Sequence, residues 1–190
     1  YTIFARATWP PVGNLPTNTI LSQAPLAGFY AFAMKSQIET FYQAFAALDA
    51  EAMGACYHDK VTFEDPAFGR LEGEQARNMW RMLCQSQQGK AFIVTYSGIR
   101  AEGDRGWAHW EARYEFGGRP VHNRIEASFV FRDGKIIEHT DHFDLYRWAR
   151  QALGFQGWLL GWTPFFRKQL QGKTRGRLGK FEAKRAEEGA

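Results

Sequence analysis

From Ala108 to Phe116 the chain alternates without a break. Ala108, Trp110, Ala112, Tyr114 and Phe116 are apolar, while His109, Glu111, Arg113 and Glu115 sit between them. A period of two over this length requires a β-strand with one face in a core and the other facing water or a partner. Gly117-Gly118 then turns the chain into Val121–Arg132, where Asn123, Ile125, Ala127, Phe129 and Phe131 share one face opposite His122, Arg124, Glu126 and Ser128. Arg132-Asp133-Gly134-Lys135 is a hairpin turn, its glycine supplying positive φ. In the strand Ile136–Phe143 the spacing places Ile137, His139, Asp141 and Phe143 on the inward face and Ile136, Glu138, Thr140 and His142 on the other. Upstream, Phe92–Glu102 is β-rich and joins the series through the turn Gly103-Asp104-Arg105-Gly106. Four strands joined by tight turns make an antiparallel sheet.

Helical spacing dominates before that point. Ile38, Phe41, Tyr42, Phe45 and Leu48 form one apolar stripe over Lys35–Leu48, and Asp49 can cap a short helix reaching Cys56. His58–Asp65 reads as a short strand ended by Pro66, Gly69 and Gly73 bound a turn, and Glu74–Gln87 carries Ala76, Met79, Trp80 and Leu83 on one side of a third helix. Helices followed by long antiparallel strands are the order of an α+β domain, not of a parallel sheet. One such domain is expected over residues 34–153. Residues 1–33, with four prolines and no usable period, read as an extended or disordered leader, and residues 154–190 as an aromatic and then basic extension.

The formal charge of +4 is unevenly spread. Residues 145–190 carry ten Lys/Arg against Glu182, Glu187 and Glu188, leaving about −3 for the rest. The basic character thus belongs to a tail, and the domain is not read as a nucleic-acid binder. Cys56 and Cys84 have neither CxxC nor metal spacing and read as buried thiols of a reducing, cytoplasmic setting. No glycine-rich dinucleotide fingerprint and no metal-ligand cluster is present, so neither a cofactor nor a metal is expected.

Polar side chains on faces assigned to the core mark the candidate site. Asp65 follows Val61 and Phe63 at period two, and His139 and Asp141 lie between inward Ile137 and Phe143, about 7 Å apart by strand rise. A carboxyl held among apolar groups has its pKa raised, which suits a general base or acid near neutrality. Asn123 and Tyr42 add neutral groups for a substrate oxygen or enolate, and Trp110, Tyr114, Phe63 and Phe143 would line the space. Structural roles are also open: Asp65 before Pro66 is a turn former, and His139 and Asp141 can satisfy each other in a buried network.

Phe41-Tyr42, Phe63-Glu64-Asp65-Pro66, the hairpin from Phe129 to Ile136 and the ending Asp141-His142-Phe143-Asp144 together resemble NTF2-like proteins. The resemblance is to the SnoaL-like group that includes ketosteroid isomerases, polyketide cyclases and limonene-epoxide hydrolases. It implies an α+β fold with a curved antiparallel sheet and three N-terminal helices forming a cone-shaped pocket. It also implies Asp65 as the proton-shuttling base, Tyr42 as donor to an enolate oxygen, a homodimer formed through the outer sheet face, and a small apolar oxygenated ligand. Two family positions differ. Ala127 stands where the isomerases carry an acidic donor, and Trp110-Glu111-Ala112-Arg113 stands where the epoxide hydrolases carry an Arg-x-Asp pair. The resemblance therefore implies either an isomerase, cyclase or hydrolase with an Asp base, or a non-catalytic binding or assembly module on the same pocket. The aromatic and basic extension reads as a lid or packing element. Membrane-surface contact is the weaker reading, because Gly154, Gly157 and Gly161 interrupt its apolar run.

Overall fold

A computed structural model describes residues 24–188 of the chain. Helices α1 (Ala24–Ala46) and α2 (Ala50–Ala55) lead into strands β1 (Tyr57–Asp65) and β2 (Gly69–Glu72). Helix α3 (Glu74–Gln87) comes next, followed by β3 (Ile93–Glu102), β4 (Arg105–Phe116), β5 (Arg119–Arg132) and β6 (Lys135–His142). Three further helices, α4 (Leu145–Leu153), α5 (Phe155–Leu160) and α6 (Pro164–Glu188), complete the described chain. The strands form one curved six-stranded sheet in the order β2-β1-β6-β5-β4-β3.

Helix α1 begins at Ala24, so the last ten residues of the expected leader are helical; its first 23 residues lie outside the described residues. Gly69–Glu72, expected as a turn, pairs with β1 as an edge strand. The sheet is antiparallel with one exception, the parallel pairing of β1 with β6. That seam joins strands far apart in sequence and closes the concave face over which α1 and α3 pack. At Gly106 the approach is so tight that a Cβ would lie 2.7 Å from Ile38 Cδ1. Ile38 would have to shift to admit a side chain where α1 crosses β4.

The alternation holds on β4 and β5. Ala108, Trp110, Ala112, Ile125, Ala127, Phe129 and Phe131 are all buried in the main core. On β6 it breaks once. A β-bulge between β5 and β6 pairs Val130 with Glu138 but Phe131 with Ile136. Ile136, assigned by strict alternation to the outer face, therefore enters the core, while Ile137 is buried outside the main cluster. An extra residue in one strand switches the facing of everything on its far side. Because the bulge lies before His139, the inward facing of His139 and Asp141 survives it.

Asp49 caps α2 through Oδ1 and the Ala52 N–H at 2.9 Å, and Thr163 caps α6 through Oγ1 and the Phe166 N–H at 3.1 Å, with Pro164 as the first helical residue. Cys56 and Cys84 are buried and free, as expected. Among the described residues no helix is long and apolar enough to cross a membrane.

Candidate active site

Among the described residues, His139 and Asp141 are the two buried polar residues of the core, 1% and 3% exposed. Their partners form a directed chain. Trp80 Nε1 donates to Tyr57 Oη at 2.8 Å, Tyr57 Oη lies 2.7 Å from His139 Nδ1, and His139 Nε2 lies 3.0 Å from Asp141 Oδ1. Trp110 Nε1 donates to the same Oδ1 at 3.2 Å. One hydrogen pattern satisfies every member: Tyr57 donates to Nδ1, and a neutral imidazole donates from Nε2 to the carboxylate. Burial pushes the Tyr57 hydroxyl well above its ordinary value, which keeps its proton in place.

The imidazole is enclosed by rings. Phe41, Tyr57, Phe63, Trp80 and Phe129 place their centroids 4.4 to 6.1 Å from it. His139 and Phe63 are thus packed within the aromatic core, and His139 meets Asp141 directly, in the buried network open to that pair. Rings that would have walled a cavity close it there, because five aromatic faces stack more favourably on one another than on water.

Asp65 sits at the end of β1, one strand from β6. Its Oδ1 accepts from the Ala67 and Phe68 N–H groups at 3.0 and 2.6 Å, the turn role open to an Asp before Pro66. Its carboxyl is nevertheless pushed up to about 7, chiefly by burial and further by the charge of Asp141, against the pull of those N–H groups. The Tyr114 hydroxyl is raised by burial and, in part, by the charge of Asp65. The charge of Asp141 thus reaches Asp65, and that of Asp65 reaches Tyr114. Among the described residues no Lys or Arg pairs with either carboxylate.

Tyr42 projects from α1 into the same interior, fully buried and stacked on Tyr96. Among the described residues its hydroxyl has no hydrogen-bond partner. Burial first, and then the charge of Asp141, holds that hydroxyl protonated well above its ordinary range. Leaving a buried hydroxyl unpaired costs about 1–3 kcal/mol, so its retention has to be explained. Asn123 stands on the inward face of β5 opposite Ala112, and Tyr114 Oη accepts from Trp148 Nε1 at 2.8 Å. Phe143, only partly buried, reaches the surface in a groove of about 560 Å³. Gln171 of α6 lines that groove and donates to the Pro66 carbonyl at 3.2 Å, which brings the groove beside the turn bearing Asp65.

Tyr57 and Trp80 complete the buried chain, and neither stood among the expected site residues. Trp80 was legible as an inward helical residue. Tyr57 was not, because it lies on the β1–β6 seam ahead of a register shift that no local pattern reveals. The donors and acceptors assembled here suit proton transfer and oxyanion stabilisation, with no group placed to hold a metal among the described residues.

The family model of the SnoaL-like domain matches residues 38–139, more than half of the chain. No curated protein matches it. Among solved structures, an LEH-like epoxide hydrolase of M. tuberculosis is 23% identical, covering 68% of this chain and 94% of that one at a TM-score of 0.55. Bal32a, from a soil-derived mobile gene cassette, is 20% identical, with 65% and 98% covered and a TM-score of 0.58. TerC, co-crystallised with polyporic acid, is 18% identical, with 64% and 98% covered and a TM-score of 0.55. At these identities the likeness is one of fold. A curved sheet with helices over its concave face, together with the family match, leads to one conclusion: the chain belongs to the SnoaL-like family, within the NTF2-like, ketosteroid isomerase-like fold.

Proposed function

We propose that this protein is a cofactor-independent enzyme acting on a small, apolar, oxygenated molecule, with Asp65 as general base. The supporting observation is the Tyr42 hydroxyl, buried and unbonded in an interior that also holds two carboxylates free of Lys or Arg. An enolate or alkoxide oxygen seated against Tyr42 would satisfy it. Asp65, raised to about 7, would then take a proton from the neighbouring carbon and return it elsewhere. Burial first, and then the charge of Asp141, itself held by His139 and Trp110, keeps Asp65 basic. Asn123, Trp110, Tyr114 and Phe143 would line the substrate, which enters past Phe143 and Gln171. A two-fold partner on the charged outer face of β4 and β5 would leave this entrance open.

The test is solvent exchange. With an apolar enone or lactone in deuterated buffer, wild type should place deuterium on the carbon next to the carbonyl, and Asp65→Asn should lose this by at least a hundredfold while keeping its fold. Equal exchange in both proteins would reject Asp65 as the base. A second reading, ligand binding without chemistry, is favoured by the two N–H groups that already occupy Asp65 Oδ1. It requires that ligands bind wild type and Asp65→Asn alike and that neither protein exchanges a proton.

A further inference from the structure

Helix α5 and the turn into α6 expose Phe155 (74%), Trp158 (53%), Leu159 (51%), Trp162 (69%) and Phe165 (64%). With Leu160 (46%), these make six large apolar side chains exposed within eleven residues, which exceeds the scattered exposure normal for a protein surface. The glycines between them explain the arrangement. A Cβ at Gly157 would lie 1.9 Å from the Ala149 carbonyl oxygen, and one at Gly161 would lie 2.7 Å from Ala149 Cβ. Gly157 and Gly161 therefore form the inner stripe, clasped against α4. Phe155, Trp158 and Leu159, spaced i, i+3 and i+4 on α5, form the outer one, and Trp162 follows in the turn after it. The glycines do not interrupt the apolar face, as the bare sequence suggested; they lie opposite it.

Cations lie near this face. Arg150 stacks on Tyr146, whose hydroxyl donates to the Trp158 carbonyl at 3.1 Å. Arg167 and Lys168 line the groove that Trp162 also borders. All three are exposed, and none is in an ion pair among the described residues. From Leu145 to Phe181 the chain has eight Lys/Arg and no Asp or Glu. A second exposed aromatic group, Phe29, Tyr30 and Phe32 on α1, lacks this feature, since residues 24–34 contain no basic residue.

We propose that the outer face of α5 seats this protein on an anionic lipid surface. The Trp and Phe rings would enter the headgroup region, and Arg150, Arg167 and Lys168 would meet lipid phosphates. Aromatic rings with a polar edge favour that boundary, and uncompensated cations beside them select negative headgroups. The test is co-sedimentation of the full chain with vesicles of phosphatidylcholine alone or with about 30 mol % phosphatidylglycerol. Binding should be at least tenfold tighter to the anionic vesicles, shift Trp emission to the blue and weaken in high salt. Trp158→Ser with Trp162→Ser, and separately Arg167→Glu with Lys168→Glu, should each lower it about tenfold without changing the melting temperature. Equal binding to neutral vesicles, or indifference to both double variants, would overturn the proposal. So would a concentration-dependent dimer that the Trp variant dissolves while no vesicle binding occurs, which would make this face a contact between copies.

Discussion

The sheet carries a histidine–carboxylate network on each face, and the two differ in almost every physical respect but composition. On the concave side, one imidazole and one carboxylate are buried among aromatic rings, with both imidazole nitrogens and Asp141 Oδ1 held by fixed partners. On the convex side, Glu111 accepts from His122 and His109 at 2.6 and 3.2 Å with Arg124 nearby, and His109 also reaches Glu126 at 2.7 Å. These are cross-strand pairs, His109 opposite Glu126 and Glu111 opposite Arg124. Water screens the outer network, so its members are exchangeable; the inner one has no second option. The same residue types thus serve as surface complementarity in one setting and as a structural commitment in the other.

The largest expected effect falls inside. His139→Ala leaves Asp141 and Tyr57 short of a partner in a dry site and should cost about 3–5 kcal/mol in urea unfolding. Replacing His139 and Asp141 together by Leu should cost much less than twice that. Additive losses would show that the inner network is not a unit. Next is the pH dependence of Asp65. Its folded pKa of about 7 lies above the ordinary 3.8, so it favours the fold fully below about pH 4 and that contribution is lost as pH rises towards 7. The loss should reach up to about 4 kcal/mol, and Asp65→Asn, which preserves the turn acceptor, should flatten the profile. A smaller effect of opposite sign is expected at α1. Tyr42→Phe removes an unbonded hydroxyl and should stabilise by about 1 kcal/mol while weakening the binding of a phenol used as an enolate mimic. The smallest effect is outside: the His109–Glu126 coupling in a double-mutant cycle should stay below about 1 kcal/mol and vanish in high salt. Because Glu126 raises the pKa of His109, the contribution of that pair is present at low pH and fades as pH climbs past the raised value. An outer coupling as large as the inner one would end the contrast.

Sequence pattern exposed the inner face because alternation is local. Trp110, Tyr114, Asn123, Phe129, His139 and Asp141 follow from counting residues along single strands, and the α+β order follows from the sequence of periods. What escaped was set across strands. The bulge that turns Ile136 inward depends on how β6 meets β5, and Tyr57 joins the site only because β1 meets β6. The closure of the hollow around His139 depends on five rings from α1, β1, α3 and β5, and no segment announces how much volume its neighbours will leave. Helix α1 extends to Ala24 although the stretch before Met34 carries no polar face to mark a period.

The single parallel seam has a consequence for how the protein comes into being. Phe63 lies opposite His139 across it, 76 positions apart. A chain emerging from the ribosome can fold the Asp65 turn and the hairpins of β3 to β5 from nearby neighbours. The acid and the imidazole–carboxylate couple stay strangers until β6 has been made and inserted between β5 and β1. Loop closure over that span is slow compared with hairpin formation. The seam between β1 and β6 therefore closes only when this strand, eight residues long, is in place.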